Sequence, residues 1–91
     1  MVVPLFLAVV GQVWIRPRDQ KIVGQALAQA RTAANVTQQQ LAHKLRKPQS
    51  FVSSYETGQR RVDVLEFLTI LRAIGAGPVE TFRTIEKLTR K

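Results

Sequence analysis

The stretch TQQQLAHKLRKPQSFVSSYETGQRR, Thr37 to Arg61, sets two short amphipathic segments around a tight basic joint, with a pair of arginines behind them. Thr37 is placed to cap a helix whose buried stripe is Leu41, Ala42 and Leu45, while Gln38, Gln39, His43 and Lys44 face water. The triplet Arg46-Lys47-Pro48 breaks that helix, and Pro48 suits the first turn of a new one, predicted from Gln49 to Thr57 and closed by Gly58. Its inward residues are Val52 and Tyr55. Two such short helices with so brief a joint should cross steeply, and the small Ala42 lets them approach. The outer face of the second helix then carries Gln49, Ser50, Phe51, Ser53 and Ser54, with Arg46 and Lys47 before it and Arg60 and Arg61 after it. Read alone, those short polar groups suit either a solvated helix face or a surface that reads base edges while cations hold phosphates.

Outward from this pair, the chain continues in helical period. Upstream, Pro17 is expected to stop regular structure and Asp19 to cap a helix over about residues 20–33, with Ile22, Ala26 and Ala30 recurring at helical spacing and Asn35 ending it. Downstream, Asp63 should cap a fourth helix in VDVLEFLTILRAIG, with Val64, Phe67, Leu68, Leu71 and Ile74 on one face. Gly75 and Gly77 end it, Pro78 reopens the chain, and Val79, Phe82, Ile85 and Leu88 step along one side of a fifth. The fold class is therefore all-α, five short helices around one small core.

Fourteen Lys and Arg against six Asp and Glu leave a net charge of +8, which favours a polyanionic partner, nucleic acid first and an anionic membrane surface second. The absence of cysteine removes disulfides and thiolate zinc sites and suits a reducing cytoplasm. His43 has no second ligand near it in sequence, so no metal is expected. One histidine, scattered acids and no glycine-rich phosphate loop supply no catalytic constellation, and no cofactor is implied. Residues 1–18 form an apolar extension, MVVPLFLAVVGQVWIRPR, distinct from the helical domain at 19–91. Its greasy run is too short to span a bilayer and lacks a basic leading segment, so neither membrane insertion nor export is expected. It reads as a strand or arm, with Trp14 able to anchor an interface, as a segment packed on the domain, or as a disordered extension.

With TQQQLAHKL, QSFVSSYETGQRR and LRAIG together on the page, residues 20–90 resemble the phage-repressor or Cro-like (xenobiotic-response-element type) helix-turn-helix family. The resemblance implies a lambda-repressor-like five-helix DNA-binding domain, with Thr37 to Leu45 as positioning helix and Gln49 to Thr57 as recognition helix. It implies base contacts from Gln49, Ser50 and Ser54, a phosphate contact from Gln38, and a structural ion pair between Arg31 and Glu56. Ser53 and Phe51 join the base-contact candidates from their place on the outer face, where Phe51 either packs at the domain edge or touches a thymine methyl. Lys44, Arg46, Lys47, Arg60 and Arg61 are the phosphate candidates. One departure stands out: Arg46 occupies the turn position where the family usually has glycine, so either the turn is re-routed or Arg46 adopts a left-handed conformation costing roughly 1–2 kcal/mol.

The function these readings imply is a sequence-specific DNA-binding transcriptional regulator, acting as a repressor and as a homodimer on double-stranded DNA in the cytoplasm. No effector domain follows the fifth helix in this sequence, so control is expected from concentration, proteolysis or a partner. The rival reading is an antitoxin-type interaction module, with a protein partner on the arm or on helix five and autoregulatory DNA binding.

Overall fold

The computed structural model describes residues 14–91, and those residues form five helices with no strand among them. They are α1 (Pro17–Ala33), α2 (Gln38–Leu45), α3 (Gln49–Glu56), α4 (Val64–Ala73) and α5 (Pro78–Thr89). The apolar extension, expected to be a strand or arm, a segment packed on the domain or a disordered extension, lies up to residue 13 outside the described residues, and Trp14 is exposed.

The start of α1 differs from the sequence expectation. Pro17 does not stop regular structure; it is the first residue of the helix, where its missing N–H costs nothing and its fixed φ is already helical. Arg16 takes the N-cap position in place of Asp19, and Asp19 sits in the first turn, its carboxylate 3.1 Å from Arg16 Nε. The early start has a tertiary cause as well. Arg16 donates to the Thr89 carbonyl at 3.3 Å and Arg18 to those of Leu88 and Lys91 at 3.0 and 3.1 Å, so the first turn of α1 closes the open end of α5.

Caps set the other boundaries. Thr37 Oγ1 accepts from the Gln40 N–H at 3.0 Å while Gln40 Oε1 accepts from the Thr37 N–H at 2.9 Å, a reciprocal box that starts α2. Asp63 and Glu66 repeat it at the head of α4, at 2.7 and 3.0 Å. Asn35 takes the left-handed conformation expected of it, φ 60°, and Gly58 does so after α3, φ 84°.

The core gathers Leu27, Leu41, Ala42, Val52, Tyr55, Ile70, Leu71 and Ile74, one stripe from each of α1 to α4. Helix α1 runs through the middle and packs on α3, α4 and α5, while α2 packs on α3 and α4. Three apolar residues expected in the fourth and fifth stripes lie outside it. Val64 is 74% exposed, Val79 66% and Phe82 59%, because burial in and just after α4 falls at its later end, on Ile70, Leu71 and Ile74, and burial in α5 centres on Ile85. The first turns of both helices form the rim of the bundle.

Gly24 allows the closest approach in the fold. A Cβ there would stand 2.2 Å from the Tyr55 carbonyl oxygen and 2.7 Å from that of Glu56, which is backbone that cannot swing aside. Gly24→Ala is therefore expected to destabilise the protein by about 2–3 kcal/mol, seen as a lower urea midpoint with unchanged slope. An unchanged midpoint would show that α1 and α3 are not seated this closely.

Candidate nucleic-acid interface

Helices α2 and α3 are joined by a turn whose conformation follows from where α2 must end. The Lys47 N–H bonds back to the Ala42 carbonyl at 3.0 Å and the Arg46 N–H to that of His43 at 3.1 Å, which requires a left-handed residue between them. Arg46 supplies it, with φ 56° and ψ 43°. The turn is not re-routed around the missing glycine; an arginine occupies the glycine conformation, with its side chain exposed.

Arg31 and Glu56 tie α3 to α1. Arg31 Nε donates to Glu56 Oε2 at 2.7 Å and Nη2 to Oε1 at 2.9 Å, a two-pronged pair with side-chain exposures of only 12% and 6%. Arg31 Nη1 also donates to the Val36 carbonyl at 2.8 Å, holding the loop before α2. The hydrogen bond to Glu56 pushes the Arg31 pKa further up. Tyr55, beside the pair, is buried, and burial with the neighbouring carboxylate drives its phenol well above its ordinary range.

From this pair a polar chain runs to the surface. Gln38 Nε2 donates to Glu56 Oε1 at 2.8 Å, and Gln49 Nε2 donates to Gln38 Oε1 at 3.2 Å. Gln38 is thus half-buried and engaged on both sides rather than simply wet. Gln49, exposed at the head of α3, keeps a free Oε1 and one N–H, both hydrogen-bonding functions of an amide.

The remaining candidates divide. Gln49 and Ser50 are exposed beside Arg46 and Lys47, so one end of α3 carries both neutral polar groups and positive charge. Ser53 and Ser54 are half-buried, and Ser54 Oγ donates to the Phe51 carbonyl at 2.9 Å. Phe51 packs edge-on against Tyr55, centroids 5.6 Å apart, with Lys47 Nζ 5.5 Å and the Arg60 guanidinium 4.7 Å from its ring centre. Arg60 also pairs with Glu66 at 2.7 Å. Lys44 turns towards the end of α4, donating to the Ala73 carbonyl at 3.3 Å, and Arg61 turns towards α1, donating to Gln20 Oε1 at 3.2 Å.

Two participants were not singled out by sequence. Gln20 holds both Arg61 and, at 2.5 Å, the Gly58 carbonyl just behind α3. Glu66 holds Arg60, and the capping spacing Asp63-Val64-Leu65-Glu66 was the available sign that it is fixed in place. No cluster of metal-ligating side chains occurs among the described residues, and none of their helices is long and apolar enough to cross a membrane.

A family model described as Helix-turn-helix matches residues 27–81. An XRE-family like protein from Pseudomonas syringae pv. tomato str. DC3000 superposes with a TM-score of 0.69 at 40% identity, over 79% of this chain and 88% of its own. The restriction-modification controller protein C.AhdI from Aeromonas hydrophila does so at 0.64 and 33% identity, over 70% of this chain and 97% of its own. The clp gene regulator ClgR from Corynebacterium glutamicum shares the fold at 0.70 and 23% identity, over 76% of this chain and 73% of its own. No curated protein sequence matches.

Arg46→Gly relieves the left-handed arginine and gives back part of that gain as unfolded-chain entropy, for a net stabilisation of about 1 kcal/mol in urea unfolding. A loss of stability would mean that the arginine side chain supports the turn more than its backbone strains it.

Proposed function

The chain belongs to the XRE-type helix-turn-helix family of DNA-binding transcription regulators, and we propose that it works as a cytoplasmic, non-enzymatic repressor that binds double-stranded DNA as a homodimer. The observation that carries the reading is the head of α3, where Gln49 and Ser50 stand exposed between Arg46 and Lys47 and the polar chain back to Glu56. A helix fits the major groove, and an amide with one donor and one acceptor free pairs well with an adenine edge. Ser54, Ser53 and Phe51 lie further along α3 as additional base contacts. Arg46 and Lys47 would meet phosphates directly; Gln38, Lys44 and Arg61 would first have to give up the bonds that hold them to Glu56, Ala73 and Gln20.

Dimer formation is supported by the rim of the bundle. Val64, Leu65, Val79 and Phe82 are 74%, 74%, 66% and 59% exposed. Around Val64, Phe67, Val79 and Phe82 lies an apolar groove of about 390 Å³ between α4 and α5. An apolar patch of this kind marks an interaction face. Charge favours a second copy there. Residues 63–86 hold four acidic residues against two basic ones, a local balance of −2 in a chain of +8, so two copies meet through their least basic part. Two recognition helices related by a two-fold axis would read half-sites about 34 Å apart.

Selection from random duplex DNA by the purified protein tests both parts. The wild type is expected to recover a two-fold motif, and Gln49→Ala, Ser50→Ala, Ser54→Ala together to lose it while weak, salt-sensitive binding persists. Phe82→Arg should sediment as a monomer, recover a single half-site, and bind the full site roughly 10²- to 10⁴-fold more weakly than the wild type. Recovery of no motif by the wild type would send the basic charge to a generic role. A wild type that is monomeric on DNA, with Phe82→Arg disturbing binding of another protein, would favour the antitoxin-type reading.

A further inference from the structure

We propose that Glu66 is a positioning residue for base readout: through Arg60 it sets the place of the Phe51 ring at the edge of the α3 face. The proposal rests on α3 being the helix that enters the major groove.

Three contacts carry it. Arg60 is placed by the turn after α3, where the Gln59 and Arg60 N–H groups both donate to the Ser54 carbonyl, at 2.9 and 3.1 Å. Its guanidinium then donates to Glu66 Oε1 at 3.1 Å and Oε2 at 2.7 Å, and to the Arg61 carbonyl at 2.8 Å. That fork lies 4.7 Å from the centre of the Phe51 ring, within cation–π range. Glu66 is itself immobilised, because Oε1 accepts from the Asp63 N–H at 3.0 Å and its own N–H donates to Asp63 Oδ1 at 2.7 Å. The first turn of α4 thereby reaches across to an aromatic side chain on α3, which Tyr55 supports from the core side.

The energetics separate this role from a structural one. Arg60 and Glu66 are 42% and 29% exposed, and a pair so open to water adds little to stability. What it fixes is geometry. With its charge matched by Glu66, Arg60 serves as a holder of the ring rather than as a phosphate clamp, and the ring offers DNA an apolar edge suited to a thymine methyl.

Glu66→Gln keeps the capping partner, since glutamine serves equally at that position, and removes the charge that holds Arg60. On the duplex selected by the wild type, replacing one thymine at a time by uracil deletes its methyl group. The wild type is expected to lose about fourfold in affinity at one thymine of each half-site. Glu66→Gln should lose less than twofold there, and its log K should fall more steeply with log salt by about one, because Arg60 is released to the phosphates. Arg60→Gln, with the cap untouched, should also lose the uracil effect and leave the salt slope unchanged. Both variants should unfold at the wild-type urea midpoint. A uracil effect and salt slope unchanged in Glu66→Gln would overturn the proposal, as would a wild type indifferent to every uracil. Failure of the wild type to select any motif would instead strike the underlying reading of α3.

Discussion

The buried pair between Arg31 and Glu56 is the constraint from which the working face follows. Removing two charges from water is costly, and the pair compensates only because every polar atom is engaged: two bonds between the partners, a third to the Val36 carbonyl and a fourth from Gln38. Those bonds reach three elements at once. They hold α3 against α1, the loop before α2 against α1, and the head of α2 against the foot of α3. Removing one partner of so buried a pair typically costs about 3–5 kcal/mol, because the other charge is left stranded. Gly24 lies on the same seam and sets how near α1 comes to the backbone of Tyr55 and Glu56. Between them, the charge pair fixes the orientation of α3 and the glycine fixes its depth.

That seam also explains how a small core can present a helix outward. Val52 and Tyr55 face in and are covered, so the opposite side of α3 needs no partner to be stable. The amide chain from Glu56 through Gln38 then restricts Gln49 without burying it. Pre-arranged polar groups lose less conformational entropy on binding than free ones, which favours recognition by an ordered helix head. Charge is arranged to match: positive residues flank α3, while the apolar rim of α4 and α5 lies in the one acidic stretch of the chain.

Local signals in the sequence proved the most legible. Thr37 and Asp63 mark helix starts as N-caps, and Asn35 and Gly58 mark ends through backbone conformation; the reciprocal bonds from Gln40 and Glu66 complete the two starts in the structure. Pro17 is compatible with both a stop and a first turn, and the deciding contacts, from Arg16 and Arg18 to the end of α5, span the whole domain. Val64 and Phe82 show a second limit. Periodicity tells which side of a helix is apolar, and it does not tell whether another element covers that side. The links Gln38 to Glu56 and Arg60 to Glu66 were hidden for a third reason: long polar side chains join positions that no period connects. The Arg31–Glu56 pair joins helices with α2 and two connections between them, and only resemblance to a family points to it.

Seated by this pair, α3 is placed to read the major groove under the function proposed for the chain. Methylation interference on a duplex selected by the protein tests it most directly, since dimethyl sulfate marks guanine N7 in the major groove and adenine N3 in the minor groove. Methylated guanines are expected to interfere in two clusters centred about 34 Å apart, with adenine methylation between them tolerated. Interference confined to adenine N3, or spread evenly along the duplex, would contradict it.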